Sequence, residues 1–306
     1  MSRLTGTGSR SSFEPLDWLL VVIVGVTWGS AYLWIAIGLE SLAPGVIACL
    51  RVALGAAALF LFPAARRRID ARDWPYVAIV AIAGNGGPAL LFALAEERLD
   101  SAVVGMLVSA APVLTLVLAF SLGNRSVRRV HVAGVWLGFL GVAAMAGPEL
   151  SGADASAIGI ALTLTAVLGY ALTGNVVVPL QHRYGGMAVV ANAQALSAVL
   201  LLPVGLAGLS ESEFETGPVL AVVFLGVMGT GVARSLSATL AGRAGPQRSG
   251  VPAYLAPVVA IILGVAFRDE SVDPIQLVGL VLVLVLAGAF LIARPNPQLA
   301  QTEPTE

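Results

Sequence analysis

Apolar runs of about 20 residues, the length that crosses a bilayer as a helix, recur in this chain from Asp17 to Arg294. Charged residues are almost absent from these runs. Because backbone groups without hydrogen-bond partners are costly in lipid, each run must be a helix or part of a closed barrel. The runs lack the strict apolar–polar alternation of barrel strands. The sequence therefore predicts an all-α membrane protein.

Composition supports this prediction. Of the 306 residues, 58% are hydrophobic and only 11% are charged, whereas about a quarter of the residues in a soluble domain are charged. The single Cys49 lies inside an apolar run, so no disulfide is expected. The polar N-terminal segment lacks the short apolar core of a cleavable signal peptide, so we expect the first run to direct insertion.

We predict about ten transmembrane spans joined by short connections. They cover residues 17–37, 44–64, 74–95, 101–121, 128–147, 156–179, 187–207, 217–241, 246–267 and 274–293. Residues 1–16 form the N-terminal segment, and residues 294–306 form a polar, proline-containing tail.

Arginine placement predicts the orientation of these spans, since cytoplasmic loops are enriched in basic residues. All 17 basic residues are arginines, and most fall in segments on one side of the membrane. These are Arg3, Arg10, Arg66, Arg67, Arg68, Arg72, Arg125, Arg128, Arg129, Arg183, Arg243, Arg248 and Arg294. Only Arg98 and Arg268 fall on the opposite side. We therefore expect an inner-membrane protein with both termini in the cytoplasm, which requires an even number of crossings.

The chain contains an internal repeat. Sliding the sequence by 145 residues places the triplet Ala111-Pro112-Val113 on Ala256-Pro257-Val258. Glycines share this offset: Gly84 falls on Gly229, Gly86 on Gly231, Gly105 on Gly250 and Gly134 on Gly279. A common offset over about sixty residues indicates a duplication.

The predicted repeats cover residues 17–147 and 156–293. Because each contains five spans, the second enters the membrane from the opposite side, and the repeats are inverted. Inverted repeats can rock about a central site and open it to each side in turn. This symmetry favours a secondary transporter that works by alternating access.

The order of the motifs resembles the EamA family of the drug/metabolite transporter superfamily. In the first repeat the resembling residues are Trp28-Gly29-Ser30, Arg51, Leu94 and Ser101-Ala102. Both repeats contain the Ala-Pro-Val triplet, and the second also retains Glu270, Gln276 and Gly279. The first repeat departs from the pattern, because Asn124 stands where a glutamate is expected. The resemblance implies a ten-helix secondary transporter, often an exporter of amino acids or other small metabolites.

Two predicted spans are interrupted at matching places, which is the best sequence indication of a transporter's binding site. Span three contains Gly84-Asn85-Gly86-Gly87-Pro88, and span eight contains Gly229-Thr230-Gly231. Backbone carbonyls freed there are tolerated only against protein or a wet cavity. Close helix packing through small residues is the alternative. The predicted helix breaks are Gly84, Pro88, Pro112, Gly229, Gly231 and Pro257.

Arg51 and Arg234 lie inside spans two and eight. Intramembrane charges usually face the protein interior or a water path, although long side chains also reach the headgroups. Because the predicted spans contain no mid-membrane Asp or Glu to pair with these arginines, a substrate carboxylate is the expected counter-ion. The substrate-path candidates are Trp28, Tyr32, Arg51, Asn85, Gly86, Tyr170, Asn192, Thr230, Arg234 and Tyr254.

The sequence contains no Ser-His-Asp set, metal-spaced His/Cys cluster or phosphate-binding loop. We therefore expect no enzymatic activity, no cofactor and no nucleic-acid partner. The expected partners are a small-molecule substrate and the lipid bilayer, and a homodimer is left open. A non-transporting membrane component, such as a sensor, assembly factor or partner subunit, remains the alternative function.

Overall fold

The computed structural model describes residues 14–111, 113–114, 117–118, 129–150, 154–244 and 251–292. This part of the chain is helical and contains no strand. Its α-helices are α1 (Pro15–Gly29), α2 (Ala31–Gly38), α3 (Pro44–Phe60), α4 (Trp74–Ala81), α5 (Gly87–Glu96), α6 (Ser101–Leu107), α7 (Arg129–Leu150), α8 (Asp154–Tyr184), α9 (Gly186–Ala207), α10 (Thr216–Phe224), α11 (Ala233–Ala244), α12 (Pro252–Arg268) and α13 (Pro274–Ile292).

The apolar helical segments follow the order of the predicted spans. Five are long enough to cross a membrane: Pro15–Gly38, Ala71–Glu96, Ser156–Thr173, Gly186–Glu211 and Thr216–Ser237. Five shorter apolar helices are Pro44–Phe60, Ser101–Ala110, Trp136–Leu150, Pro252–Arg268 and Pro274–Val285. The fold is therefore all-α, with its helices arranged as two five-helix repeats.

Local sequence determines where the helices begin. Pro44 begins α3 and Pro274 begins α13, because proline has the backbone angle that a first turn needs and no N–H to leave unpaired. Asp273 also caps α13: its side chain accepts a hydrogen bond from the Ile275 N–H, and Gln276 Oε1 accepts one from the Asp273 N–H. This reciprocal pair is a capping box.

Spans one, three and eight are interrupted within their length. Span one bends at Ser30, whose hydroxyl donates to the Thr27 carbonyl and accepts a hydrogen bond from Trp34 Nε1. Span three contains a π-helical segment at Ile82–Gly86, between α4 and α5. Span eight contains another at Leu225–Val232, between α10 and α11. The two π segments therefore occupy corresponding positions in the two repeats.

Helices that are repeat mates pack directly on each other. Helix α3 packs on α9, where a Cβ built on Gly45 would lie 2.7 Å from the Val204 carbonyl oxygen. Helix α7 packs on α13, where a Cβ on Gly141 would lie 2.8 Å from the Gly279 carbonyl oxygen. Small residues permit this close backbone approach in lipid. The two contacts therefore join equivalent helices of the two repeats.

Other helices cross between the repeats around a buried core. Helix α1 packs on α12, and α5 packs on α8. The largest buried cluster includes Tyr32, Ile35, Phe92, Met106 and Leu225, which come from spans one, three, four and eight. This cluster lies beside the two π segments.

Candidate functional site

The first π segment is held by side chains from inside and outside its own span. Asn85 Nδ2 donates a hydrogen bond of 2.9 Å to the Val80 carbonyl, five residues earlier. Ser197 of α9 donates a bond of 2.8 Å to the Ala81 carbonyl. A π turn shifts the backbone hydrogen-bond pattern, so carbonyls near it need such partners. Span seven therefore supports the break in span three.

The second π segment is held in a similar way. Thr230 Oγ1 donates to the Leu225 carbonyl at 3.2 Å and accepts a hydrogen bond from Arg51 Nε at 3.1 Å. Gln194 Nε2 donates to the Thr230 carbonyl at 3.1 Å. Helices α3 and α9 of the two repeats thus meet at Thr230, and the Arg51 guanidinium lies at this meeting point.

The predicted glycine breaks are also close-packing positions. A Cβ on Gly84 would lie 3.0 Å from Thr173 Oγ1, and a Cβ on Gly86 would lie 3.0 Å from Ser197 Cβ. The corresponding distance from Gly231 to Ala58 Cβ is 2.8 Å. These glycines of the π segments therefore make the close helix contacts that the packing interpretation predicts.

Three polar groups at these segments keep unused hydrogen-bonding capacity. Arg51 Nη1, Asn85 Oδ1 and Gln194 Oε1 are inaccessible to solvent and have no partner among the described residues. Such groups are costly to bury unless something completes their hydrogen bonds. One is a cationic donor and two are amide acceptors, which are groups that a small polar solute can complement.

Aromatic residues line the region between the repeats. The Tyr32 and Phe92 rings make an edge contact with centroids 5.9 Å apart, and the Phe92 and Tyr170 centroids are 6.0 Å apart. Arg51 and Arg234 are both half-buried. Within the described chain, neither guanidinium lies within 4.0 Å of a carboxylate.

The other predicted residues are more dispersed. Asn192 donates to the Ala188 carbonyl of its own helix at 2.8 Å, whereas Gln194 on the same helix reaches Thr230. Trp28 on α1 and Tyr254 on α12 are half-buried. Two predicted breaks, Pro88 in the first turn of α5 and Pro257 inside α12, are buried. Pro112 lies outside the described residues.

A vestibule of about 730 Å³ opens at one end of the bundle. Its lining is strongly acidic, with Glu40, Glu96, Glu97, Asp100, Glu211, Glu213 and Glu270, and with Arg268 as its basic residue. We call this end the acidic end. Partial burial and the neighbouring carboxylates of Glu270 and Glu149 raise the pKa of Asp100, and Arg268 opposes this shift.

Sequence reasoning missed Glu96, because this residue directly follows the predicted third span. In the structure it is the last residue of α5. Both of its carboxyl oxygens are inaccessible to solvent and lack a hydrogen-bond partner within the described chain. The sequence signal that could have found it is that the helix of the third span extends through Glu96 instead of ending before it.

Ion pairs link the two repeats at the opposite end, which we call the arginine-rich end. Arg243 of α11 contacts Asp17 of α1, with Nε 2.6 Å from Oδ1. At the start of α4, Asp73 accepts hydrogen bonds from Arg183 at 2.5 Å and from the Tyr184 hydroxyl at 2.6 Å. Span one is thereby tied to span eight, and span three is tied to span six.

Comparison with known proteins agrees with this architecture. The model of the EamA-like transporter family matches residues 17–147 and 157–294. A probable terminal-alkyne amino-acid exporter from Streptantibioticus cattleyicolor is 28% identical over 283 residues, or 90% of this chain and 93% of that protein. A probable amino-acid metabolite efflux pump from Escherichia coli is 25% identical over 286 residues, or 88% of this chain and 92% of that protein.

A crystal structure with 18% sequence identity shares the fold, with a TM-score of 0.63 over 92% of this chain and 99% of that chain. The family match covers both repeats and nearly all of the apolar helices. The chain therefore belongs to the EamA-like transporter family and is a membrane-embedded transporter of small molecules.

Proposed function

We propose that this protein is a secondary transporter that exports amino acids or related small organic solutes by alternating access. The observation that carries the proposal is the Arg51 guanidinium, which is bonded to Thr230 and has an unpartnered, buried Nη1. A guanidinium binds carboxylates through strong charge-assisted hydrogen bonds. A solute carboxylate would therefore supply the missing partner. The printed names of two relatives, an amino-acid exporter and an amino-acid metabolite efflux pump, support the same solute class.

The proposed path lies between the two π segments. It includes the following residues: Tyr32, Arg51, Asn85, Gly86, Tyr170, Gln194, Thr230 and Arg234. In this assignment Gln194 replaces Asn192, because Gln194 contacts the second π segment. Asn85 and Gln194 can accept hydrogen bonds from a solute ammonium or hydroxyl group through their unpartnered amide oxygens.

We further propose that the acidic vestibule faces outward and that both termini lie in the cytoplasm. The arginines concentrate at the opposite end, as expected for the cytoplasmic side of an inner-membrane protein. With the vestibule open and the arginine-rich end closed by ion pairs, the conformation is outward-open. Reporter proteins fused separately to the two termini should both report the cytoplasm, and a difference between them would contradict this orientation.

Transport itself can be tested in proteoliposomes containing the purified protein. Vesicles loaded with a mixture of unlabelled protein amino acids should take up the radiolabelled mixture by exchange. The variant Arg51→Gln should lose most of this exchange while remaining folded in the membrane. If the wild-type protein exchanges neither the amino acids nor a wider panel of organic acids, the non-transporting membrane component becomes the better hypothesis.

A further inference from the structure

Glu96 and Glu270 both line the vestibule, but their carboxyl oxygens have different hydrogen-bond partners. Glu270 is fully used, because its two oxygens accept hydrogen bonds from the Ser101 N–H, the Ser101 hydroxyl and the Ala102 N–H. Both oxygens of Glu96 are sealed from solvent and accept none within the described residues. A buried carboxylate without hydrogen bonds is very costly, whereas the neutral carboxyl is far less so.

The groups around Glu96 act on its charge in opposite directions. The positive charges of Arg51 on α3 and Arg268 on α12 favour the carboxylate, whereas Glu270 after α12 opposes it. The Tyr32 hydroxyl on α2 is also within electrostatic range of both Arg51 and Glu96. Glu96 is therefore surrounded by charged and polar groups that both repeats contribute.

The occupant that fits Glu96 is a proton. A metal cation needs several oxygen ligands, and among the described residues no group of three or more His, Cys, Asp or Glu side chains could hold one. The oxygens of Glu270 are already committed to α6. The acidic lining of the vestibule concentrates cations in front of the site, and burial together with neighbouring carboxylates raises the pKa of Asp100 in the same lining.

We propose that Glu96 is the proton-binding carboxyl that couples proton entry to solute export. This inference rests on the proposed transport function. In the outward-open state a proton passes from the vestibule to a Glu96 oxygen, and it leaves to cytoplasmic water after the opposite end opens. A solute ammonium group competes with the proton for the same carboxylate. One carboxylate cannot hold both, so proton and solute move in opposite directions.

Two assays in proteoliposomes separate coupling from transport, both with the radiolabelled mixture of protein amino acids. Exchange at equal pH and saturating solute reports alternating access alone. Net accumulation is then driven by a pH gradient of one unit, acidic on the side where the solute is to accumulate, with the membrane potential clamped at zero. One-for-one exchange of a proton for a zwitterionic solute supports about tenfold accumulation, because one pH unit and a tenfold concentration ratio have equal free energies.

The wild-type protein should approach this tenfold accumulation. The variant Glu96→Gln should bind the solute with lower affinity, because it loses the contact with the ammonium group, and even at saturating solute its accumulation should fall to about onefold. Glu215→Gln is the matched control, since it removes an exposed acid at the same end outside the vestibule lining. It should behave like the wild type in both assays.

Several results would overturn the inference while leaving the transport function intact. One is tenfold accumulation by Glu96→Gln. Another is a wild-type protein that exchanges solute at equal pH but does not accumulate it when the pH gradient is applied. If Glu96→Gln also loses exchange, Glu96→Asp supplies the test, because it keeps a titratable group. Glu96→Asp should retain coupling, and an exchanging Asp variant without coupling would reject the role of this carboxyl. Absence of wild-type exchange would instead reject the proposed function.

Discussion

The Glu270 carboxylate caps helix α6 across the boundary between the two repeats. One of its oxygens accepts hydrogen bonds from the Ser101 N–H at 3.0 Å and the Ser101 hydroxyl at 2.7 Å, and the other accepts from the Ala102 N–H at 2.8 Å. The turn that aims it begins at Asp269, which has a left-handed φ of 53°. Gly264 leaves the necessary space, since a Cβ there would overlap the Glu270 side chain.

We predict that Glu270→Ala lowers the stability of the folded protein. The substitution leaves two N–H donors and one hydroxyl at the start of α6 without their acceptor, which costs about 1–3 kcal/mol for a buried polar group. The apparent melting temperature in detergent should fall accordingly. Ser101→Ala should cause a smaller decrease, because it removes the hydroxyl bond alone. Unchanged melting of Glu270→Ala would show that the cap adds nothing to stability.

The fold could be predicted from local features of the sequence. The length of the apolar runs determines the spans, and clustered glycines at Gly84–Pro88 and Gly229–Gly231 indicate the helix breaks. Glycine and proline disturb a helix through their own backbone properties, whatever packs around them, so their effect can be predicted from the local sequence. The repeat offset then places the two breaks at equivalent positions.

The details of the site depend on tertiary packing and could not be obtained in this way. Asn192 and Gln194 are two residues apart, which is about 200° around a helix, and the packing of α9 decides which of them reaches Thr230. The burial of Glu96 depends on charged and aromatic groups that α2, α3 and α12 bring to the end of α5. The sequence around Glu96 alone resembles an ordinary membrane boundary.

The Arg51 guanidinium should be required for its shape as well as its charge. Arg51→Lys keeps the positive charge but loses the planar fork that bonds Thr230 and a carboxylate together. Losing one charged hydrogen bond, worth about 1.5–3 kcal/mol, corresponds to a roughly ten- to hundredfold weaker apparent affinity. The concentration dependence of amino-acid exchange measures this effect. Arg98→Lys, at the acidic end, is the control and should leave the affinity unchanged. An unchanged affinity in Arg51→Lys would argue for a purely electrostatic role.

The Asp17–Arg243 pair should bias the protein toward the conformation with a closed arginine-rich end. Asp17 is almost fully buried while Arg243 is partly exposed, so breaking the pair should cost about 1 kcal/mol, or roughly a fivefold change in population. In a Cys49→Ser background, a cysteine placed at Ala36, a half-buried residue of the vestibule lining, reports opening through its reaction with an impermeant maleimide. Asp17→Asn should slow this labelling several-fold.

The charge-reversed double variant Asp17→Arg with Arg243→Asp tests whether the effect belongs to the pair. Labelling should recover in part, since the double variant restores opposite charges at the contact of position 17 with position 243. Recovery is incomplete because Arg243 also pairs with Glu14 at 2.9 Å, and the new acid at position 243 would repel Glu14. Slower labelling in both the single and double variants would indicate that another interaction closes this end.

Gly231 and Gly147 provide a matched test of the packing role of glycine in the π segments. A Cβ on Gly231 would lie 2.8 Å from Ala58 Cβ on the neighbouring span, whereas a Cβ on Gly147 of α7 meets no atom within 4 Å. Gly231→Ala should therefore force α3 away from the second π segment and destabilise the protein by about 1–3 kcal/mol. Gly147→Ala should instead stabilise it by about 0.5–1 kcal/mol, because alanine favours the helix over the unfolded chain. Melting temperatures in detergent and exchange rates in vesicles should separate the two variants. If Gly231→Ala melted and transported like Gly147→Ala, the contact between spans two and eight would have room for a methyl group, and its glycine would serve the π turn alone.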